Sequence, residues 1–122
     1  MLDQIKILII DDSEIVHKMA QKTLNMVGFK QVDYAPGGKA ALEMINNTDY
    51  NLISCDITMP EMDGIETVTK ILEKKPDQKI IMLTAMGQAD YVIKSKELGI
   101  KHYLLKPFTP EQLIKTIKEA LE

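Results

Sequence analysis

Asp11, Asp12, Asp56, Thr84 and Lys106 share one kind of place in the chain. Asp11 and Asp12 follow Ile5–Ile10, Asp56 follows Asn51–Cys55, Thr84 follows Lys79–Leu83 and Lys106 follows His102–Leu105. Each stands where a short strand-like run stops; the first of these runs, Ile5–Ile10, is rich in β-branched residues and reads as a buried strand. Three carboxylates brought together raise one another's pKa at a cost in stability, which a cation relieves. Hard oxygen donors that leave room for water suit magnesium, typically held by one or two carboxylates plus phosphate. Lys106 adds a compact positive charge fitted to a phosphate oxygen. The chemistry such a set supports is phosphoryl transfer, where positioning and charge neutralisation dominate. Taken singly, an Asp-Asp pair after a strand is ordinary turn and cap chemistry. The weight lies on four strand ends supplying one coherent set.

The elements that position these residues follow from periodicity. Ser13–Val27 reads as a helix, with Ile15, Val16, Met19, Thr23, Leu24 and Val27 on one face and Gly28 as its stop. Val32–Ala35 reads as a short strand and Lys39–Asn46 as a helix after Gly37-Gly38. Ile65–Lys75 is a helix with the stripe Ile65, Val68, Ile71 and Leu72, stopped by Pro76. Ala89–Leu98 is a fourth helix, ending at Gly99. Thr109-Pro110-Glu111-Gln112 opens the last as a capping box with proline in the first turn, and Leu113, Ile114, Ile117 and Leu121 form its buried face. Five strands alternating with five helices predict one α/β domain over residues 1–122, doubly wound around a parallel sheet. The flavodoxin-like strand order 2-1-3-4-5, with helices on both faces, is the expected topology, and ligands in such sheets bind outside the carboxyl ends of the strands.

The segments Ile7-Leu8-Ile9-Ile10-Asp11-Asp12-Ser13, Asp56-Ile57-Thr58-Met59-Pro60-Glu61-Met62-Asp63-Gly64, Thr84-Ala85 and Lys106-Pro107-Phe108, in this order and spacing, resemble the receiver domains of response regulators. The match runs from Ile5 to Leu121. The short chain and the stretch Thr84-Ala85-Met86-Gly87-Gln88 are most similar to the chemotaxis receivers. The resemblance implies a two-component signalling switch rather than an enzyme acting on a separate substrate. Asp56 would take a phosphoryl group from a histidine kinase or a histidine phosphotransfer protein. Asp12 and Asp56 would bind Mg2+ directly, with the Thr58 carbonyl as a third ligand and Asp11 acting through water. Lys106, the Thr84 hydroxyl and the Ala85 N–H would bind the phosphoryl oxygens. Tyr103 matches an aromatic position that turns inward on activation, and the Lys106–Pro107 bond is expected to be cis. The positions of Thr58 and Met86 vary in the family and tune the lifetime of the acyl phosphate. The output face would be Ala89–Leu121, with Lys94, Lys101, Tyr103, Lys115 and Lys118 as contacts. A flagellar motor switch protein is the implied target, and a phosphatase a possible further partner. A phosphorelay intermediate, or a receiver cut from a longer regulator with a DNA-binding output, are the alternatives; Met1 and a final helix that completes the fold favour a standalone protein.

Composition narrows the classes. The chain is 45% hydrophobic and 27% charged, with fifteen lysines, no arginine and a net charge of −3, which speaks against non-specific nucleic-acid binding. The lone Cys55 excludes an internal disulfide and reads as a small buried residue rather than a redox sensor. The longest apolar runs, such as Ile7–Ile10, span four residues, and Asp3 and Lys6 interrupt the N-terminus, so a cytoplasmic protein with no membrane partner is expected. His17 and His102 lack metal-ligand spacing. The methionines read as core filling, with Met59, Met62 and Met86 close to the acidic residues. Gly37-Gly38 lacks the lysine and further glycine of a phosphate cradle. A haloacid-dehalogenase-type phosphatase would carry a second aspartate two residues after the nucleophile, where this chain has Thr58.

Overall fold

Ile7 to Ile10 are buried on both faces of the strand they form, β1 (Lys6–Ile10), and this double burial organises the architecture. A computed structural model describes all residues 1–122. After β1 come α1 (Glu14–Met26), β2 (Gln31–Ala35), α2 (Gly38–Asn47), β3 (Leu52–Asp56), α3 (Gly64–Lys74), β4 (Ile80–Thr84), α4 (Ala89–Glu97), β5 (His102–Leu105) and α5 (Pro110–Leu121). All strand pairs are parallel, in the order β2-β1-β3-β4-β5. The expected doubly wound topology is therefore the observed one.

Alternation along the central strands divides the core in two. Leu8, Ile10, Ile53, Cys55, Ile80 and Met82 face Ala41, Ile45, Val68 and Ile71 of α2 and α3. Ile7, Ile9, Leu52, Ile81 and Leu83 face Ala20 and Leu24 of α1 and Leu113, Ile117 and Ala120 of α5. A strand whose alternate residues are all apolar cannot turn either face to water.

Element ends differ from the sequence reading by a residue or so, and two of the differences matter. Asp56 and Thr84 are the last residues of β3 and β4 rather than the first residues of the following loops. They are thus held by the sheet's backbone pairing, Asp56 opposite Leu83 and Thr84 opposite Leu105. Ile15, which its spacing places on the apolar face of α1, is instead 81% exposed. At 3.6 residues per turn the nine positions from Ile15 to Leu24 amount to about 180°, so burying Leu24 turns Ile15 outward.

Local signals set the helix ends. Ser13 accepts the Val16 N–H at the start of α1, and Asp63 accepts the Glu66 N–H at 2.8 Å at the start of α3. Thr109 and Gln112 form the reciprocal capping box, with Pro110 in the first turn of α5. Gly28, at φ +112°, lets the chain leave α1 through a backbone conformation that disfavours side chains.

Candidate functional site

The carboxyl ends of β1, β3, β4 and β5 bring Asp11, Asp56, Thr84 and Lys106 to one edge of the sheet, with Asp12 beside them. One carboxylate oxygen from each of Asp11, Asp12 and Asp56 lies within 4.8 Å of the other two. Asp11 is fully buried, Asp56 is buried and Asp12 is exposed. The set is all oxygen and open to water on the Asp12 side, which fits a hard divalent cation such as Mg2+.

Lys106 ties the acids together. Its Nζ donates to Asp11 Oδ2 at 2.8 Å and lies 3.2 Å from Asp56 Oδ2. Its backbone N–H donates to the Thr84 carbonyl at 2.7 Å, so the end of β5 is pinned to the end of β4. The Lys106–Pro107 bond is cis, as the family resemblance implies. The other Asp11 oxygen accepts the Ser13 N–H at 2.9 Å, which fixes the carboxylate from the α1 side.

Electrostatics distinguish the members. Burial, then the charge of Asp11, pushes the Asp56 carboxyl above its ordinary value, while Lys106 and the Thr58 N–H partly oppose the shift. Burial alone would lower the Lys106 pKa, but its hydrogen bond and charge attraction to Asp11, reinforced by Asp56, outweigh that and raise it. Lys106 thus stays charged and lies against the partly desolvated Asp56 carboxyl.

The β3–α3 loop carries Asp56 into position through one close approach. A Cβ on Gly64 would lie 2.2 Å from the Asp56 carbonyl oxygen and 2.7 Å from Ile57 Cα. The Gly64 N–H donates to the Ile57 carbonyl at 2.7 Å, so α3 begins directly against the end of β3. Asp63, inside the same motif, is the α3 cap and not a member of the acid cluster.

The other expected residues divide. Thr84 is buried at the end of β4, whereas Ala85 and Thr58 are exposed on adjoining loops. Tyr103 lies on β5, opposite Met82 of β4. It is half-buried, its hydroxyl donates to the Ile100 carbonyl at 2.7 Å, and it accepts from Ser95 Oγ at 3.0 Å. A turn of this ring breaks both bonds. The three methionines form no common stripe: Met59 is core, Met62 packs against Gly38, and Met86 is 89% exposed. Cys55 is fully buried, and burial pushes its thiol pKa up. His17 stacks on Tyr34 with ring centroids 4.0 Å apart, while His102 lies half-buried on β5.

Gln88 was singled out by no chemical argument from sequence. Its side chain bridges the Ala85 N–H and the Thr58 hydroxyl. The available signal was its place: a residue after a turn glycine, just before α4, lacking the short side chain that caps a helix best.

Residues 7–118 match the family of response regulator receiver domains. Two proteins of Bacillus subtilis illustrate the range of relatives. The chemotaxis protein CheY is 36% identical over 116 residues, covering 95% of this chain and 97% of that protein. The transcriptional regulatory protein YhcZ is 38% identical over 117 residues, covering 91% of this chain but 52% of that protein. Among solved structures, a CheY-like receiver domain protein from Methanospirillum hungatei superposes with a TM-score of 0.90 at 32% identity, covering 96% of this chain and 93% of that one. The match covers the acidic strand ends, Lys106 between them and the sheet that holds them, and on that evidence the chain belongs to the response regulator receiver domain family.

Proposed function

We propose that the chain is a phospho-accepting signalling switch in which Asp56 is the site of modification. The observation that carries this reading is the contact of Lys106 with both Asp11 and Asp56 at the carboxyl edge of the sheet. An Asp56 carboxylate oxygen attacks the phosphorus of a phosphohistidine on a histidine kinase or a histidine phosphotransfer protein. The O–P bond forms as the P–N bond breaks, and the pair of electrons stays on the imidazole nitrogen. The leaving ring is neutral when its other nitrogen carries the proton. Lys106, the Thr84 hydroxyl and the Ala85 N–H receive the phosphoryl oxygens. Asp12 and Asp56, with the Thr58 carbonyl, would hold Mg2+ directly and Asp11 through water, and the ion would supply neutralisation of the transferring charge. Hydrolysis returns the Asp56 carboxylate, so the chain promotes only its own phosphorylation and dephosphorylation.

Similarity to CheY over nearly the whole of both chains supports a chemotaxis output, with a flagellar motor switch protein as target and a phosphatase as a further partner. This reading makes the protein cytoplasmic, with no direct contact to nucleic acid or membrane; no helix is long and apolar enough to cross one. The identity to a transcriptional regulatory protein favours a second reading, a receiver that governs transcription. Intact-mass spectra after acetyl phosphate and magnesium test the chemistry: one phosphoryl group is expected on the wild type and none on Asp56→Asn. Equal labelling of the two, or labelling undiminished by a chelator, overturns the assignment. A pull-down with beryllofluoride-activated protein distinguishes the outputs.

A further inference from the structure

The Ala85 N–H, one of the groups assigned above to a phosphoryl oxygen, is already occupied in the unmodified chain. It donates to Gln88 Oε1 at 2.6 Å. A backbone N–H can only donate, which fixes the carbonyl end of the Gln88 amide on Ala85 and leaves Nε2 to donate to Thr58 Oγ1. Gly87, at φ +87°, makes the reversal that carries the Gln88 side chain back toward Ala85. Gln88 is also the residue preceding α4, yet its side chain makes no capping bond to that helix. One side-chain amide therefore joins the β4–α4 loop to the β3–α3 loop, one residue beyond Thr84 and two beyond Asp56.

We propose that Gln88 is a latch: a positioning residue that keeps the Ala85 N–H engaged while Asp56 is unmodified and must give it up when the phosphoryl group arrives. This rests on the phospho-acceptor reading of Asp56. A phosphoryl oxygen accepts a charge-assisted hydrogen bond, stronger than the one to a neutral amide carbonyl, so the exchange runs toward the modified state. Displacement also breaks the bridge to Thr58. The first residues of α4, at the start of the Ala89–Leu121 face, are then freed from the β3–α3 loop. Occupancy of the site thus reaches the output helix through a contact separate from Tyr103.

The test compares wild type with Gln88→Ala and with the length-matched Gln88→Met, which retains the aliphatic body if Gln88→Ala disturbs the loop. In the metal-free, unmodified protein, hydrogen exchange of the Ala85 amide measured by NMR is expected to rise about 2–10-fold in both variants, the range for one lost neutral hydrogen bond. With magnesium and acetyl phosphate, labelling of Asp56 followed by intact mass is expected to speed up by a similar factor. Unchanged Ala85 exchange in both variants overturns the latch. Faster exchange with unchanged or slower labelling overturns its role as a barrier to phosphorylation. Failure of the wild type to label on Asp56 overturns the phospho-acceptor reading instead, and the exchange measurement still reports on the contact by itself.

Discussion

At the residue scale the site is a balance of like and unlike charges in a place with little water. Asp11 and Asp56 crowd each other, and Lys106 satisfies both only in part. An acid whose pKa rises on folding favours the folded state while protonated and opposes it once ionised. For Asp56 the penalty sets in as pH climbs above the ordinary carboxyl value of 3.8 and is complete above its raised folded value. Asp56→Asn removes that charge and leaves Lys106 paired with Asp11. In chelator at neutral pH the variant is expected to be more stable by about 1 kcal/mol, a melting temperature roughly 3–6 °C higher. The gain should shrink as pH falls through the raised Asp56 value and vanish below 3.8, where Asp56 is protonated in both states, and thermal melts across pH read the trend. Cys55 offers a second check. Fully buried and held as a thiol, it is expected to react with an aromatic disulfide reagent only when the protein unfolds, at a rate that follows denaturant rather than thiolate concentration.

At the element scale the site depends on how closely helices start against strand ends. Gly64 is needed for the absence of a side chain: any Cβ there meets the backbone of Asp56 and Ile57. Gly64→Ala is expected to destabilise by at least about 2–3 kcal/mol, because rigid backbone rather than a flexible side chain must move. Urea unfolding measures the loss, and the displaced Asp56 should also be labelled more slowly by acetyl phosphate. The helices are not equally secured. α5 has a full capping box, α1 and α3 have side-chain caps, and α2 and α4 have none, but α2 buries Gly38, Ala41 and Ile45. Thr109→Ala should therefore cost about 1 kcal/mol in the same unfolding experiment. The nine-residue α4 buries only Ser95 among its own residues. Few buried contacts and an uncapped start make it the helix most easily shifted.

At the scale of the whole molecule, one rigid sheet separates two apolar cores and carries the charged site on one edge. Motion in such a frame falls to the least buried elements, because close packing leaves the core few alternative arrangements. On the phospho-acceptor reading, that directs a response at Asp56 first to α4 and the edge strand β5, within the proposed output face Ala89–Leu121 that carries Lys94, Lys101, Lys115 and Lys118. A ligand shifts an equilibrium only by binding its two states differently. NMR spectra of the free protein and of its complex with magnesium and beryllofluoride are expected to differ at the loops around Asp12 and Asp56 and also over Ala89–Leu121. Thr84→Ala should keep the first set of shifts and weaken the second. Shifts confined to the loops would mean that the signal leaves by another face. Tyr103 enters this change from a ring already bonded to Ser95 and Ile100, so its movement has to break two hydrogen bonds as well as find space behind Thr84.

What the sequence by itself determined is whatever depends on local pattern. Apolar runs ending at Asp11, Asp56 and Thr84 specified strands buried on both faces, and with the edge strand before Lys106 they gave a doubly wound parallel sheet. Parallel strands point their carboxyl ends the same way, so these residues had to converge once the strand order was right. The capping box at Thr109 and the stop at Gly28 were equally local, and so readable in advance. What only the tertiary structure decided is which face each element turns inward and which side chains meet across loops. Ile15 has the residue type and nearly the spacing of a core position, and only the rotation of α1 that buries Leu24 leaves it in water. The Lys106 contacts needed three strand ends, those of β1, β3 and β5, brought to one edge. Gln88 reaches Thr58 across thirty positions of sequence, through a turn at Gly87 and the approach of α3 to β3. A polar side chain on a loop carries no periodicity, so its partner is set by distances that exist only after the sheet has formed.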